Sequence, residues 1–252
     1  SRKCRDLALA FCSKDYNLFE KLYLKYEEQG LYSSQISAKD YMDMYCTERF
    51  ENSSYYVMNI DECNANTPYK RGIIQTNICV EYITPTRELS SKTPNSPDIG
   101  ICVLSNVNQG KVKKEELKDI TALLVRAQTH IIKRQKQPTT QAQAFVDTIC
   151  DIGIGISNHA TWVMENDCKY GDQKVLDLLD EYMEEFQFSL IQASLNIAKE
   201  TEHVSGFFDE VYVDKVNPLN RYNKNVDTIT TRKPSKDWDS LIKEVEIFGL
   251  AN

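Results

Sequence analysis

Three side chains able to do chemistry, Asn77, Cys79 and Glu81, alternate with apolar Ile78 and Val80 in the segment Asn77-Ile78-Cys79-Val80-Glu81. A thiol between a hydrogen-bonding amide and a proton-accepting carboxylate can support nucleophilic or one-electron chemistry. In extended backbone successive side chains point to opposite faces, so this spacing predicts that the three share one face. Cys102 follows 23 residues later, in the apolar run Gly100-Ile101-Cys102-Val103-Leu104-Ser105, and offers a second thiol as a possible redox partner. By residue type alone, a half-buried edge strand would carry the same five-residue pattern.

Other sites find less support. The eight cysteines (4, 12, 46, 63, 79, 102, 150 and 168) include no C-x-x-C pair, and His130, His159 and His203 are each isolated from cysteine. This argues against zinc unless distant residues meet. With no secretory signal, reduced thiols are expected, and any disulfide is more readily catalytic than structural. Gly153-Ile154-Gly155 lacks the third glycine of a dinucleotide fingerprint and reads as a close strand-to-helix turn. Asp61-Glu62-Cys63-Asn64 reads as a turn, and His159 and His203 as ordinary polar residues.

The positioning elements follow from periodicity and caps. Helical spacing covers Asn17–Gln29, and a helix capped by Ser37, with Asp40 three residues on, runs to about Phe50. Tyr55–Ile60, aromatic and β-branched, predicts a short buried strand, followed by a loop over Asp61–Lys70 and the extended motif segment Ile73–Tyr82. Thr84–Asp98, with three prolines, is a loop, and Ile99–Asn106 is strand-like. Lys113–Lys136 is a helix with the apolar stripe Leu117, Ile120, Leu124, Ala127 and Ile131, broken before Pro138. After the short apolar stretch Ile149–Ile156, Gly171–Glu202 makes one long or two adjoining helices. A polar loop around Asn223–Asp227 precedes a last helix, Ser235–Phe248, ended by Gly249. Strands alternating with helices predict an α/β chain.

The 252 residues can bury a sizeable core, and the net charge of -7 argues against a nucleic-acid surface over the whole chain. The basic runs Lys111–Lys118 and Lys133–Lys136 read as solvated helix faces. No apolar run reaches the ~20 residues that span a bilayer, and Leu7–Phe11 is too short for a signal peptide. The chain starts with Ser1 rather than Met, as a processed chain or a piece of something longer would.

Six segments, in order, resemble the large subunit of class I ribonucleotide reductase, most closely its bacterial and tailed-phage type. They are Phe19-Glu20-Lys21-Leu22-Tyr23, Tyr56–Asn64, Gln75–Glu81, Ile101–Ser105, Ile152–Gly155 and Ala193–Glu200. The resemblance covers nearly the whole chain, and Asn-x-Cys-x-Glu is its most specific part. It implies part of a ten-stranded α/β barrel. Residues 1–252 would form one partial catalytic domain, from the end of the first half-barrel through a central finger loop at about 73–84 to the start of the second half.

In that family the finger-loop cysteine becomes a thiyl radical, and Cys79 matches it. Glu81 matches the carboxylate that accepts the ribose 3′-hydroxyl proton, and Asn77 the amide that hydrogen-bonds the ribose hydroxyls. Cys102 matches one of the two cysteines that reduce the 2′ position. The resemblance implies reduction of ribonucleotides to deoxyribonucleotides for DNA synthesis, with no cofactor bound by this chain. A metal-containing small subunit would supply the radical, and allosteric nucleotides would bind outside this segment. Implied partners are the segments completing the barrel, the small subunit, a ribonucleoside diphosphate, and thioredoxin or glutaredoxin as reductant, with no nucleic acid or membrane. The expected location is the cytoplasm, or the host cytoplasm for a phage protein.

Several family parts have no match: the other reducing cysteine, the specificity helices, the substrate-phosphate loop, the relay tyrosines and the carboxyl-terminal cysteines. A basic pair expected before Ile152 is replaced by Ile149-Cys150-Asp151. The expectation is therefore a barrel segment active only with complementing chains. The alternative is a non-catalytic scaffold or interaction protein derived from the same barrel. An unrelated thiol oxidoreductase using Cys79 and Cys102 is a third reading.

Overall fold

A computed structural model describes residues 4–11, 15–53, 55–67, 69, 71–87, 94–101, 103–202 and 232–252. Cys12, Cys102, His203 and the polar loop expected at Asn223–Asp227 lie outside these residues. Contacts divide the chain into two units, Ser1–Arg87 and Glu88–Asn252.

The first unit contains α1 (Arg5–Phe11), α2 (Tyr16–Glu28), α3 (Ala38–Asn52) and α4 (Ile60–Asn66). Local chemistry starts two of them. Asp15 accepts the Asn17 N–H at 3.1 Å, and Ser37 Oγ accepts the Asp40 N–H at 3.0 Å, satisfying amides that have no partner within the helix. The Tyr26 hydroxyl ties α2 to α1 by donating to the Asp6 carboxylate at 2.5 Å.

The strand expected at Tyr55–Ile60 does not form. Residues 55–59 are irregular, and Tyr55, Tyr56 and Val57 are exposed. A strand needs a hydrogen-bonded neighbour, and the described residues of this unit include none. Asp61 and Glu62 instead sit in the first turn of α4, where the helix dipole favours negative charge. Asp61-Glu62-Cys63-Asn64 is thus helical rather than a turn.

The second unit contains β1 (Leu104–Asn108), a 3-10 turn (Lys114–Glu116), α5 (Leu117–Arg134), α6 (Thr140–Thr148), β2 (Gly153–Ser157), α7 (His159–Glu165), α8 (Gln173–Thr201) and α9 (Trp238–Phe248). β1 and β2 pair in parallel, from Leu104 opposite Gly153 to Asn108 opposite Ser157. Parallel strands need a crossover, which α5 and α6 provide. The chain is therefore α/β, as expected, although β1 starts later than the strand-like run Ile99–Asn106. Gly153-Ile154-Gly155 lies within β2 and not in a strand-to-helix turn. Gly155 faces Asn106, whose Oδ1 would stand 3.0 Å from an added Cβ. The turn into α7 comes later, at Asn158 (φ 61°).

α5 and α8 carry the core. Val107, Leu117, Tyr182 and Phe186 form one cluster, and Ile191 and Leu195 of α8 pack with Trp238, Leu241, Val245 and Leu250. Each fully buried side chain of this size contributes about 1.5–3 kcal/mol. The region Gly171–Glu202 resolves into one 29-residue helix. The buried face of α5 is turned from the expected stripe: Ile131 is 47% exposed, while Thr121, Gln128 and Thr129 are buried. Among the described residues, no helix is long and apolar enough to cross a membrane.

Candidate active site

Residues 77–82 form a tight turn on a stem made by residues 72–77 and 82–87. Asn77 is its clasp. Its N–H donates to Tyr82 O at 3.2 Å, and its Oδ1 accepts the Tyr82 N–H at 3.0 Å. Its carbonyl accepts the Val80 N–H at 3.2 Å, closing the tip. Thr76 Oγ1 adds a bond to Tyr82 O at 2.9 Å, and Arg87 Nη1 reaches Gly72 O at 2.9 Å lower on the stem.

Val80 takes φ 64°, in the left-handed region, which costs a β-branched residue on the order of 1–3 kcal/mol. Reversing the chain here overrides the extended alternation expected for Ile73–Tyr82. Asn77 and Glu81 still meet, but across a turn and not along a strand face: Asn77 Nδ2 donates to Glu81 Oε1 at 2.5 Å. Cys79 lies between them as an exposed free thiol, and Ile78 beside it is 86% exposed. An amide, a thiol and a carboxylate thus lie within one turn, where an amide can hydrogen-bond, a thiol can give up a hydrogen and a carboxylate can accept a proton.

α4 supports the stem. Asn64, only 2% exposed, accepts the Ile73 N–H on Oδ1 at 2.6 Å and donates from Nδ2 to the Ile73 and Ile60 carbonyls, each at 3.0 Å. A cavity of about 490 Å³ lies between α4 and the loop, lined by residues that include Met58, Glu62, Cys63, Val80 and Ile83. Burial, with Glu62 adding to it, pushes the Cys63 thiol up, and burial does the same to Cys150. In both, the shift favours the protonated thiol, the less reactive form.

Cys102 lies outside the described residues, but the strand start that follows it is described. Gln128 of α5 donates from Nε2 to Val103 O and Gly153 O, each at 3.1 Å, bridging the residue before β1 and the first residue of β2. The sequence marks Asn64 only as part of a turn, and the apolar stripe of α5 leaves out Gln128. The available signal was an amide at a helix position that apolar spacing turns inward, as at Gln128 between Val125 and Ile132. His159 is occupied structurally, with Nδ1 2.8 Å from Gln109 Oε1 and its ring stacked on Trp162. Among the described residues no three His, Cys, Asp or Glu side chains gather in a way that could hold a metal ion.

A family model described as the ribonucleotide reductase barrel domain matches residues 4–252. The chain is 30% identical over 243 residues to the ribonucleoside-diphosphate reductase subunit alpha of Haemophilus influenzae, covering 94% of this chain and 32% of that protein. It is 32% identical to the subunit of the same name from Buchnera aphidicola subsp. Acyrthosiphon pisum, over 98% of this chain and 33% of the relative. Against the subunit of Enterobacteria phage T4 it is 31% identical, over 95% of this chain and 32% of the relative. The chain thus spans about a third of the length of these relatives.

Proposed function

Because the chain belongs to the ribonucleotide reductase barrel-domain family, we propose that its 252 residues form part of a ten-stranded α/β barrel. In it residues 73–84 are the central finger loop. On this reading the chain is a segment of a ribonucleoside-diphosphate reductase large subunit and acts with the rest of the barrel. A metal-containing small subunit supplies the radical, and a protein dithiol of the thioredoxin or glutaredoxin type restores the reducing thiols. Allosteric nucleotides bind outside this segment, and the enzyme works in the cytoplasm.

In the proposed reaction Cys79, as a sulfur radical, takes the hydrogen atom of ribose C3′, so an S–H bond forms and a C–H bond breaks. Asn77 holds the ribose hydroxyls, and Glu81 takes the 3′-hydroxyl proton as general base. The 2′-hydroxyl leaves as water with a proton from a thiol. Cys102 and a second thiol supplied elsewhere in the enzyme deliver two electrons and the hydrogen that C2′ gains, closing a disulfide, while Glu81 returns its proton to the 3′ oxygen. Returning the hydrogen from Cys79 to C3′ restores the sulfur radical. The balance is one C–O bond replaced by C–H, one water and one disulfide.

The observation that carries this reading is the bond between Asn77 and Glu81 across the turn that bears Cys79. Its test is to assemble the chain with the remainder of a large subunit and a small subunit, then measure deoxynucleotide formation. Cys79→Ser should abolish it. Full turnover in that variant would sink the catalytic reading and leave the scaffold derived from the same barrel.

A further inference from the structure

We propose that Asn64 is a positioning residue for the Cys79 loop, holding the base of its stem from inside α4. The inference rests on the reading of Asn77, Cys79 and Glu81 as the reacting groups, and adds what holds them in place.

Asn64 meets the stem as a strand neighbour would. It satisfies both main-chain polar groups of one residue, Ile73, through the 2.6 Å bond to its N–H and the 3.0 Å bond to its carbonyl. Ile73 is fully buried, so these groups have no water to fall back on, and their partner fixes where the outgoing arm of the stem begins. A third bond, to Ile60 O, locks the amide to its own helix. Ile73 is four residues before Asn77, with no regular sheet between them. The rung from Asn77 to Tyr82 therefore inherits its position from the Asn64 clamp below and from the Arg87 bond to Gly72 on the returning side.

The neighbouring residues of α4 leave space under the tip. Glu62, Cys63 and Val80 line the same cavity, so the tip is not wedged against the helix, and stem placement has to come from the base. Displacing reacting groups by about 1 Å can cost on the order of 100-fold in rate.

The test uses the assembled enzyme. Asn64→Asp keeps the acceptor for Ile73 N–H and loses both donations, and Asn64→Leu loses all three bonds. Turnover should fall about 10- to 100-fold in both, with KM within about twofold and Leu the more severe. Alkylation of Cys79, located by mass spectrometry, should change rate in the same order, while amide exchange of α8 stays as in the parent. Normal turnover and normal Cys79 alkylation in both variants would overturn the inference, even if Ile73 exchanged faster. If neither variant folds, native-state exchange of the unmodified enzyme decides. The Ile73 and Tyr82 amides should open together, and Tyr82 opening independently would overturn the clamp. A fully active Cys79→Ser would instead refute the underlying site reading, whatever Asn64 does.

Discussion

The carboxamide of Asn77 donates to the carboxylate of Glu81 over 2.5 Å, four residues along the chain and across the turn that carries Cys79. The same amide closes the loop through Tyr82, so one side chain holds both the backbone and the Glu81 carboxylate. Hydrogen bonds to carboxylates are short and strong, and this one holds Glu81 across the turn that carries Cys79 with no regular strand to support it.

Glu81→Gln keeps the size of the side chain and a carbonyl oxygen for Asn77 but removes the proton acceptor. Loss of a positioned general base costs about 100- to 10,000-fold. Deoxynucleotide formation by the assembled enzyme should fall by that order, with alkylation of Cys79 little changed. A loss below about tenfold would remove Glu81 from the base role.

Asn77→Asp tests the clasp. It places a second carboxylate opposite Glu81 and removes the Nδ2 donor, while an oxygen remains for Tyr82 N–H. Loss of a hydrogen bond to a charged acceptor, with like charges left facing, is worth on the order of 2–3 kcal/mol. Turnover should fall about 30- to 150-fold at neutral pH, and Tyr82 should exchange its amide faster. Protection unchanged at Tyr82 would show that the Nδ2 bond to Glu81 does not hold the loop.

These dependencies were only partly legible in the sequence. The Ser37 cap was readable because its chemistry is local: a hydroxyl and an amide three residues apart. α8 was readable because its apolar stripe is long. α5 misled because polar residues hide on its inner face, where the Thr121 and Thr129 hydroxyls satisfy themselves on the Leu117 and Val125 carbonyls at 2.7 and 2.6 Å. Tyr55–Val57 misled because β propensity cannot supply a neighbouring strand. Asn77, Cys79 and Glu81 were legible as a set but not in their geometry. Alternation assumed extended backbone, and the positive φ of Val80 is not something a valine announces.

Gln128→Leu should weaken the second unit. It removes the bridge from α5 to the Val103 and Gly153 carbonyls, and with it a buried Oε1 that has no hydrogen-bond partner. Lost donations outweigh relief of that one oxygen, so a net loss of about 1–2 kcal/mol is expected in urea unfolding of the chain. Faster exchange should appear at the Gly153 amide, which donates to Val103 O at 2.9 Å. Equal or greater stability would mean that the orphaned oxygen is the dominant cost.

Glu184 gives the second unit a pH dependence. Burial alone would push its carboxyl up, since the side chain is 7% exposed. Hydrogen bonds from the Lys236 N–H, Arg232, Ser235 and Trp238 overcome that and hold it at about 2, below the ordinary 4.5. A lowered folded pKa means that this contribution is complete above about 4.5 and is lost as pH falls from there toward 2. At 1.36 kcal/mol per unit the shift sets an upper limit of about 3 kcal/mol. The anchored segment begins α9, and the Trp238 indole itself donates to Glu184 at 3.1 Å, so tryptophan fluorescence follows the change directly. Urea midpoints of the parent chain should drop between about pH 5 and about pH 3. Glu184→Gln should start lower at neutral pH, because a neutral amide accepts these donors less well, and should fall less steeply over that interval. Parallel slopes for the two proteins would assign the acid sensitivity to other carboxylates.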